Sequence, residues 1–496
     1  MYRGLTSGAP HRNRRVRSVV AASLVLAISL VSGAVAAVAA GAATAAPSPP
    51  LTWSPCPKVS GYLCGTMQVP LHYGHLSGGS VPLAVMEHPV SQSKGVIVFN
   101  PGGPGESGVL ILPILASLLP EAVKDQFTLV SFDERGTGQS EPLLCGPSAA
   151  AASSAIAGTS AAAHTFAGLE HSCQATFPAL FPTVNTTTSA RDMDQLRAAL
   201  GVKKIDFYGM SYGTALGSVY AQLFPSHVGA MVLDGAVDAN LSLISDAKAD
   251  APAIETALTH GLESCTSTPD CPLGADPVGF YKNLQQQLSR SPLAAPGGGD
   301  AAPVTVGDLY TATLLYLSAP NFTPGYFPAL AAAAAGNGAP LRSVALGLED
   351  DLNGESLVGP LWTITCSDAV AHPDAQTTAN LARTLAARYP LAGAEAVANY
   401  LIACPGWGDS SQPIAHLSPH GAPTPLVIGN VYDPNTPYVV APQLAAATGG
   451  RLVTYVGYGH TWLLNGSTNS CMQNVVTSYI VDGVVPAKGT RCSSSP

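Results

Sequence analysis

Ile205-Asp206-Phe207-Tyr208 has the apolar character of a short buried strand, and it runs directly into Gly209-Met210-Ser211-Tyr212-Gly213. Thr214 to Phe224 follows with helical spacing. A G-x-S-x-G placed between strand and helix is a sharp turn that presents a serine Oγ at the edge of a sheet. The flanking glycines are needed there because a Cβ would clash. The helix starting behind Ser211 aims backbone N–H groups at the same point, which favours developing negative charge.

Outward from this turn the chain alternates strand and helix. Gly95–Asn100 and Phe127–Asp133 are continuous apolar runs ending in Gly-containing loops, as expected of buried parallel strands. Val81–Glu87, Met231–Asp234, Pro425–Gly429 and Arg451–Val456 also read as strands, and Ser189–Leu200 and Cys471–Val481 as helices. Leu51–Met67 reads as irregular. Residues 239–391 are largely helical, broken by Pro- and Gly-rich pieces such as Ala294–Pro303. The pattern predicts an α/β fold: a mostly parallel central sheet (51–238 and 392–496) with an inserted helical cap (239–391).

Composition narrows the class. Of 496 residues, 47% are hydrophobic and only 11% charged, which excludes a disordered chain. The formal net charge of −9 gives no basic footprint for nucleic acid. Arg3, Arg12, Arg14, Arg15 and Arg17 crowd the first residues, and Val19 to Ala40 is apolar and uncharged. Ala43-Thr44-Ala45 offers a small-residue cleavage site. Residues 1–46 therefore read as a secretory signal peptide, with an uncleaved membrane anchor as the alternative. Without this head, 17 basic residues face 31 acidic ones, and no stable membrane insertion is expected. All ten cysteines lie beyond it. An even number in an exported chain suggests disulfides, and the absence of C-x-x-C and of paired histidines argues against zinc. Connectivity does not follow from sequence. Pairing in chain order would give 56–64, 145–173, 265–271, 366–404 and 471–492.

A serine hydroxyl needs a base, and in this architecture the order is Ser, then an acid, then His. Asp433 follows the strand at 425–429, in Tyr432-Asp433-Pro434-Asn435-Thr436-Pro437. His460 follows the strand at 451–456, in Gly457-Tyr458-Gly459-His460. Both stand at the C-terminal ends of strands, where open α/β sheets place their sites. An Asp before proline also serves simply as a turn former. Asn100-Pro101-Gly102-Gly103-Pro104-Gly105-Glu106 offers backbone N–H donors, from Gly102 or Gly103, to complete an oxyanion hole with Tyr212. With neither G-K-[ST] nor G-x-G-x-x-G, a phosphate loop is disfavoured. Asp133 and Arg135 suit an ion pair that fixes the next loop. With His460 near its ordinary pKa, activity should fall below about pH 6.

N-P-G-G-P-G, D-E-R-G-x-G-x-S, G-M-S-Y-G-T, D-P-N-T-P and G-x-G-H, in this order, resemble the α/β-hydrolase fold. More narrowly, they resemble the secreted tripeptidyl-aminopeptidase and proline-iminopeptidase-like serine exopeptidases of high-GC bacteria, over residues 50–492. The resemblance implies Ser211 as nucleophile, His460 as general base, Asp433 as its orienting carboxylate, and Gly103 and Tyr212 as oxyanion donors. It implies peptide substrates with a free N-terminus and no metal or organic cofactor. Relatives commonly carry a small residue where this chain has Glu106, which places a carboxylate either against the oxyanion loop or near the substrate's α-amine. Glu349, Asp350, Asp351 and Glu355 form a second acidic group for a free N-terminus, or simply a solvated helix face. Two rivals stay open: an esterase or lipase with the same triad, and a silent binding protein on a hydrolase scaffold.

Overall fold

The computed structural model describes residues 51–493 apart from 75–77, 149–150, 154–163, 238–241, 268–269, 295–302, 321–322, 352–357, 395–400, 402, 409–413 and 415–416. The proposed signal peptide lies outside the described residues. Residues 45–496 make one compact unit.

The strands are β1 (Ser54–Pro55), β2 (Leu63–Pro70), β3 (Ser80–His88), β4 (Val96–Asn100), β5 (Thr128–Phe132), β6 (Ile205–Met210), β7 (Val228–Asp234), β8 (Leu426–Tyr432), β9 (Arg451–Tyr458) and β10 (Arg491–Ser493). They form one sheet in the order β1-β2-β3-β5-β4-β6-β7-β8-β9-β10. Every pairing from β5 to β10 is parallel, and β1, β2 and β3 add antiparallel strands at one edge. Side chains alternate across a strand, so β4 sends Val98 to one face and Ile97 and Phe99 to the other. Two cores result. One holds Val98, Phe207 and Leu233 with the helices Thr186–Ala199 and Gly213–Leu223; the other holds Phe99, Tyr208 and Ile428 with the helices Gly108–Leu118 and Ser470–Asp482. Burial on both faces explains why these strands read as unbroken apolar runs.

The segment read as irregular holds β1 and the first half of β2. β2 pairs with β3 from Leu63 opposite Glu87 to Pro70 opposite Ser80. Of its eight residues only Met67 and Val69 are buried, which leaves little alternation to read.

Between β7 and β8 lie the helices Leu243–Ser264, Pro277–Arg290, Val306–Ser318, Tyr326–Ala334, Ala339–Asp351, Val358–Asp368 and Ala375–Arg388. Five disulfides join the cysteines in chain order, with Cα–Cα separations of 5.0–5.7 Å. Cys366–Cys404 ties the Val358–Asp368 helix to the chain that leads into β8. No described helix is long and apolar enough to cross a membrane.

Candidate active site

β6 ends at Met210 and the next helix opens at Gly213, so the chain turns within Ser211 and Tyr212. Ser211 adopts φ +53°, a left-handed conformation that costs a non-glycine residue roughly 1–3 kcal/mol. The glycines beside it are set by space. A Cβ on Gly209 would lie 2.3 Å from the Gly213 carbonyl oxygen, and one on Gly213 would lie 2.7 Å from that of Asn100.

The loop after β4 packs onto this turn. A Cβ on Gly102 (φ +107°) would lie 2.7 Å from Met210 O and 2.9 Å from Ser211 Cβ. The Gly102 N–H donates to Asn100 Oδ1 at 3.1 Å. That engagement makes Gly103, exposed and at φ +101°, the better placed of the two glycines to serve beside the Tyr212 N–H.

A buried polar network lies under Tyr212. Its phenol is within hydrogen-bond reach of Thr186 Oγ1 and, at 3.3 Å, Glu134 Oε2. Asn100 Nδ2 donates to Glu134 Oε1 at 3.0 Å. Thr186 donates through N (3.1 Å) and Oγ1 (2.5 Å) to the carboxylate of Asp368, the last residue of the Val358–Asp368 helix. Burial pushes both carboxyls up, Asp368 to about 7.

Asp433 and His460 meet across β8 and β9. His460 Nδ1 lies 3.0 Å and 3.1 Å from the two Asp433 oxygens. Asp433 also accepts the N–H groups of Asn435, Thr436 and Thr461 and the Thr436 hydroxyl, at 2.9–3.2 Å. So many donors on a fully buried side chain hold it in one orientation and with it fix the imidazole plane. Burial alone would push His460 down. The adjacent Asp433 carboxylate, followed by Asp234 and Glu106, outweighs this and holds the imidazole above its ordinary value. An acid limb set by this imidazole would lie above the pH 6 expected of an unperturbed histidine.

Glu106 is half-buried, and burial pushes its carboxyl up while His460 pulls it down. A Cβ on its neighbour Gly105 would lie 2.8 Å from Pro360 Cβ, so the inserted helices close over this loop. Ser318 O, at the end of the Val306–Ser318 helix, accepts the His460 N–H at 2.9 Å from another side. Glu349, Asp350 and Asp351 end the helix Ala339–Asp351, and Glu355 lies outside the described residues.

The expected Asp133–Arg135 pair does not form. Arg135 donates to both oxygens of Asp192, through Nε (2.8 Å) and Nη2 (2.7 Å), and neither side chain is exposed. Asp133 instead accepts from Ser107 Oγ and from the N–H groups of Val109 and Gln139 at 2.7–3.0 Å. Thr436 and Thr186 were missed. For Thr436 a signal existed: a hydroxyl three residues after an Asp in a proline-flanked turn is placed to bond back to it.

A mostly parallel sheet, a strained serine between strand and helix, and an Asp–His pair at the ends of the next strands define a hydrolase scaffold of the α/β type. Residues 95–467 match the family described as alpha/beta hydrolase fold, and the chain belongs to it. Over 478 residues it is 31% identical to serine protease Hip1 of Mycobacterium tuberculosis, covering 89% of this chain and 91% of that protein. It is 30% identical to carboxylesterase B of the same species, covering 90% of each. It is 28% identical to the tripeptidyl aminopeptidase of Streptomyces lividans, covering 87% of this chain and 83% of that protein. The first and third of these relatives support a serine peptidase on this scaffold.

Proposed function

We propose that the protein is an exported serine peptidase that releases short peptides from substrate N-termini by acyl transfer. The observation that carries the proposal is the buried Asp433–His460 pair, together with a serine held in a left-handed turn between strand and helix. Ser211 Oγ attacks the scissile carbonyl while His460 takes its proton. The oxyanion is received by the N–H groups of Tyr212 and Gly103. His460 then protonates the leaving amine, and water, activated by the same imidazole, releases the acyl group. Asp433 holds the tautomer and stabilises the imidazolium. Inserted helices over the oxyanion loop favour chain ends over folded substrates, and Glu106 supplies a carboxylate for a free α-ammonium group. Export is supported by the Arg-rich, apolar head and the five disulfides.

The test compares the mature protein on a chromogenic tripeptide amide with a free amine, its N-acetylated twin and a short acyl ester. Cleavage of the free-amine peptide alone is expected. Cleavage of the ester alone would replace the peptidase reading with an esterase. That second reading draws on the relative named carboxylesterase B and on a triad that serves amides and esters alike.

A further inference from the structure

Ser211 and His460 lie in the turns after different strands, β6 and β9, and one residue touches the supports of both. Asp234 ends β7, between the two, and is fully buried. Its main-chain carbonyl accepts the Ser211 N–H at 2.9 Å. Its carboxylate accepts the N–H groups of Trp462 (2.9 Å) and Leu463 (3.0 Å), the first turn of the short helix that follows His460, and the Tyr208 hydroxyl (3.1 Å). The next residue, Gly235, has φ +73°, and a Cβ there would lie 2.8 Å from Thr461 Cγ2, 3.0 Å from Thr436 Oγ1 and 3.3 Å from His460 Cε1. Thr461 itself is held at φ +61°, so the histidine turn is a strained segment kept in place by its partners.

We propose that Asp234 is a positioning residue that sets His460 against Ser211, its carbonyl holding the serine turn and its carboxylate holding the histidine turn. This rests on the Ser211–His460 reading and adds to it a distance-setting role that Asp433 cannot fill. Asp433 orients the imidazole plane but makes no hydrogen bond to the serine turn, whereas Asp234 bonds to the turns on both sides. The charge matters as well as the shape. The groups facing the Asp234 carboxylate are the Tyr208 phenol and the His460 ring, and the same ring is faced by Asp433 and Glu106. A negative Asp234 therefore favours the imidazolium formed when Ser211 attacks.

Asp234→Asn keeps the shape but turns an amide N–H₂ towards donors that need an acceptor. Expected is a fall in kcat of about 10²-fold, as for a reacting group misplaced by about 1 Å, with KM changed less than about threefold. The acid limb of kcat/KM should also move to lower pH, because a negative charge facing the imidazole is gone; a merely structural residue would lower the melting temperature and leave the limb in place. Tyr208→Phe removes only the phenol from the same carboxylate and should keep wild-type kcat. Gly235→Ala presses a methyl group on the histidine turn with Asp234 intact, and it decides the matter if Asp234→Asn does not fold: kcat should again fall with KM nearly constant. Fluorophosphonate labelling of the wild type at Ser211 separates the two levels. No labelling ends the triad reading and this role with it. Labelling together with near-wild-type kcat and an unmoved limb in Asp234→Asn, or near-wild-type kcat in Gly235→Ala, overturns the role of Asp234 alone.

Discussion

Asp368→Asn removes a charge from beneath the serine turn while leaving the side chain's shape and an acceptor oxygen. Asp368 is the last residue of an inserted helix, and its carboxylate is bonded by Thr186, which also touches Tyr212. Among the described residues no cation joins the Asp368–Thr186–Tyr212–Glu134 contacts; the neighbouring charge is Glu134, which raises the Asp368 carboxyl further after burial has raised it. The folded-state pKa of about 7 stands against an ordinary 3.8. The carboxyl is thus more readily protonated in the folded protein, so its stabilising contribution is full below about pH 4 and is lost as pH rises through 7. At 1.36 kcal/mol per pKa unit the loss is on the order of 4 kcal/mol, and partial solvent access at the helix end reduces it to roughly 2–4 kcal/mol. Asparagine does not titrate. The stability of Asp368→Asn relative to wild type should therefore rise by that amount between pH 4.5 and pH 8. For a chain of this length, at about 2.1 cal/mol/K per residue, this is a relative shift in melting temperature of roughly 2–4 °C. Melting curves of both proteins at the two pH values, disulfides intact, measure it. An equal difference at both pH values would mean that the carboxyl is not desolvated, and that the helix is not docked on the serine turn through it.

Ser211→Ala should melt with the wild type and lose at least about 10³-fold in kcat, read on whichever chromogenic substrate the wild type cleaves. The acid limb of kcat/KM should lie above that of an ordinary imidazole, because His460 works neutral and its carboxylate neighbours hold the protonated form to higher pH; a limb at or below the ordinary value would contradict the charge arrangement around it. Gly102→Ala should abolish labelling of Ser211, since its methyl group would meet Met210 O and Ser211 Cβ, and retained labelling would show that the loop moves freely. Cys366→Ser with Cys404→Ser opens a 38-residue separation and should cost about 4 kcal/mol, against about 2 kcal/mol for the six-residue Cys265–Cys271 pair, as compared by denaturant unfolding.

The elements that carry Ser211, Asp433 and His460 were legible because each lies where a doubly buried parallel strand stops, and such strands announce themselves as apolar runs. The helix Gly108–Leu118 was not singled out. It is apolar almost throughout and carries Pro113, so it shows no polar face to reveal its period. Read from sequence, Arg135 pairs with Asp133, two residues before it. Its true partner, Asp192, is 57 residues away on the helix Thr186–Ala199, a distance that only the packing of that helix on the sheet closes. Asp234 and Asp368 were passed over for the same reason. A single acid at the end of a strand or helix has no local partner to mark it, and its role appears only across a long stretch of chain, 182 residues between Thr186 and Asp368 and 228 between Asp234 and Trp462.

These residues change how the site is understood. An Asp–His–Ser arrangement is usually treated as a line of three, but here three carboxylates, Asp433, Asp234 and Glu106, act on one buried imidazole. Raising the imidazole pKa makes His460 a stronger base towards Ser211 and a weaker acid towards the leaving group. An ester's alkoxide or phenolate leaves with little help, whereas an amide's nitrogen has to be protonated as it departs. A site charged in this way therefore suits amide cleavage only if something restores the acidity of the imidazolium once substrate is bound. A substrate ammonium group paired with Glu106 would do so, by neutralising one of the three charges at that moment. On this reasoning Glu106→Gln, which removes the same charge permanently, should separate the two substrates through binding: KM for a free-amine peptide should rise with the loss of its ammonium partner, while KM for a neutral acyl ester should hold steady. Equal effects on both substrates would mean that the Glu106 charge acts on the imidazole alone, and that the α-ammonium group is recognised elsewhere.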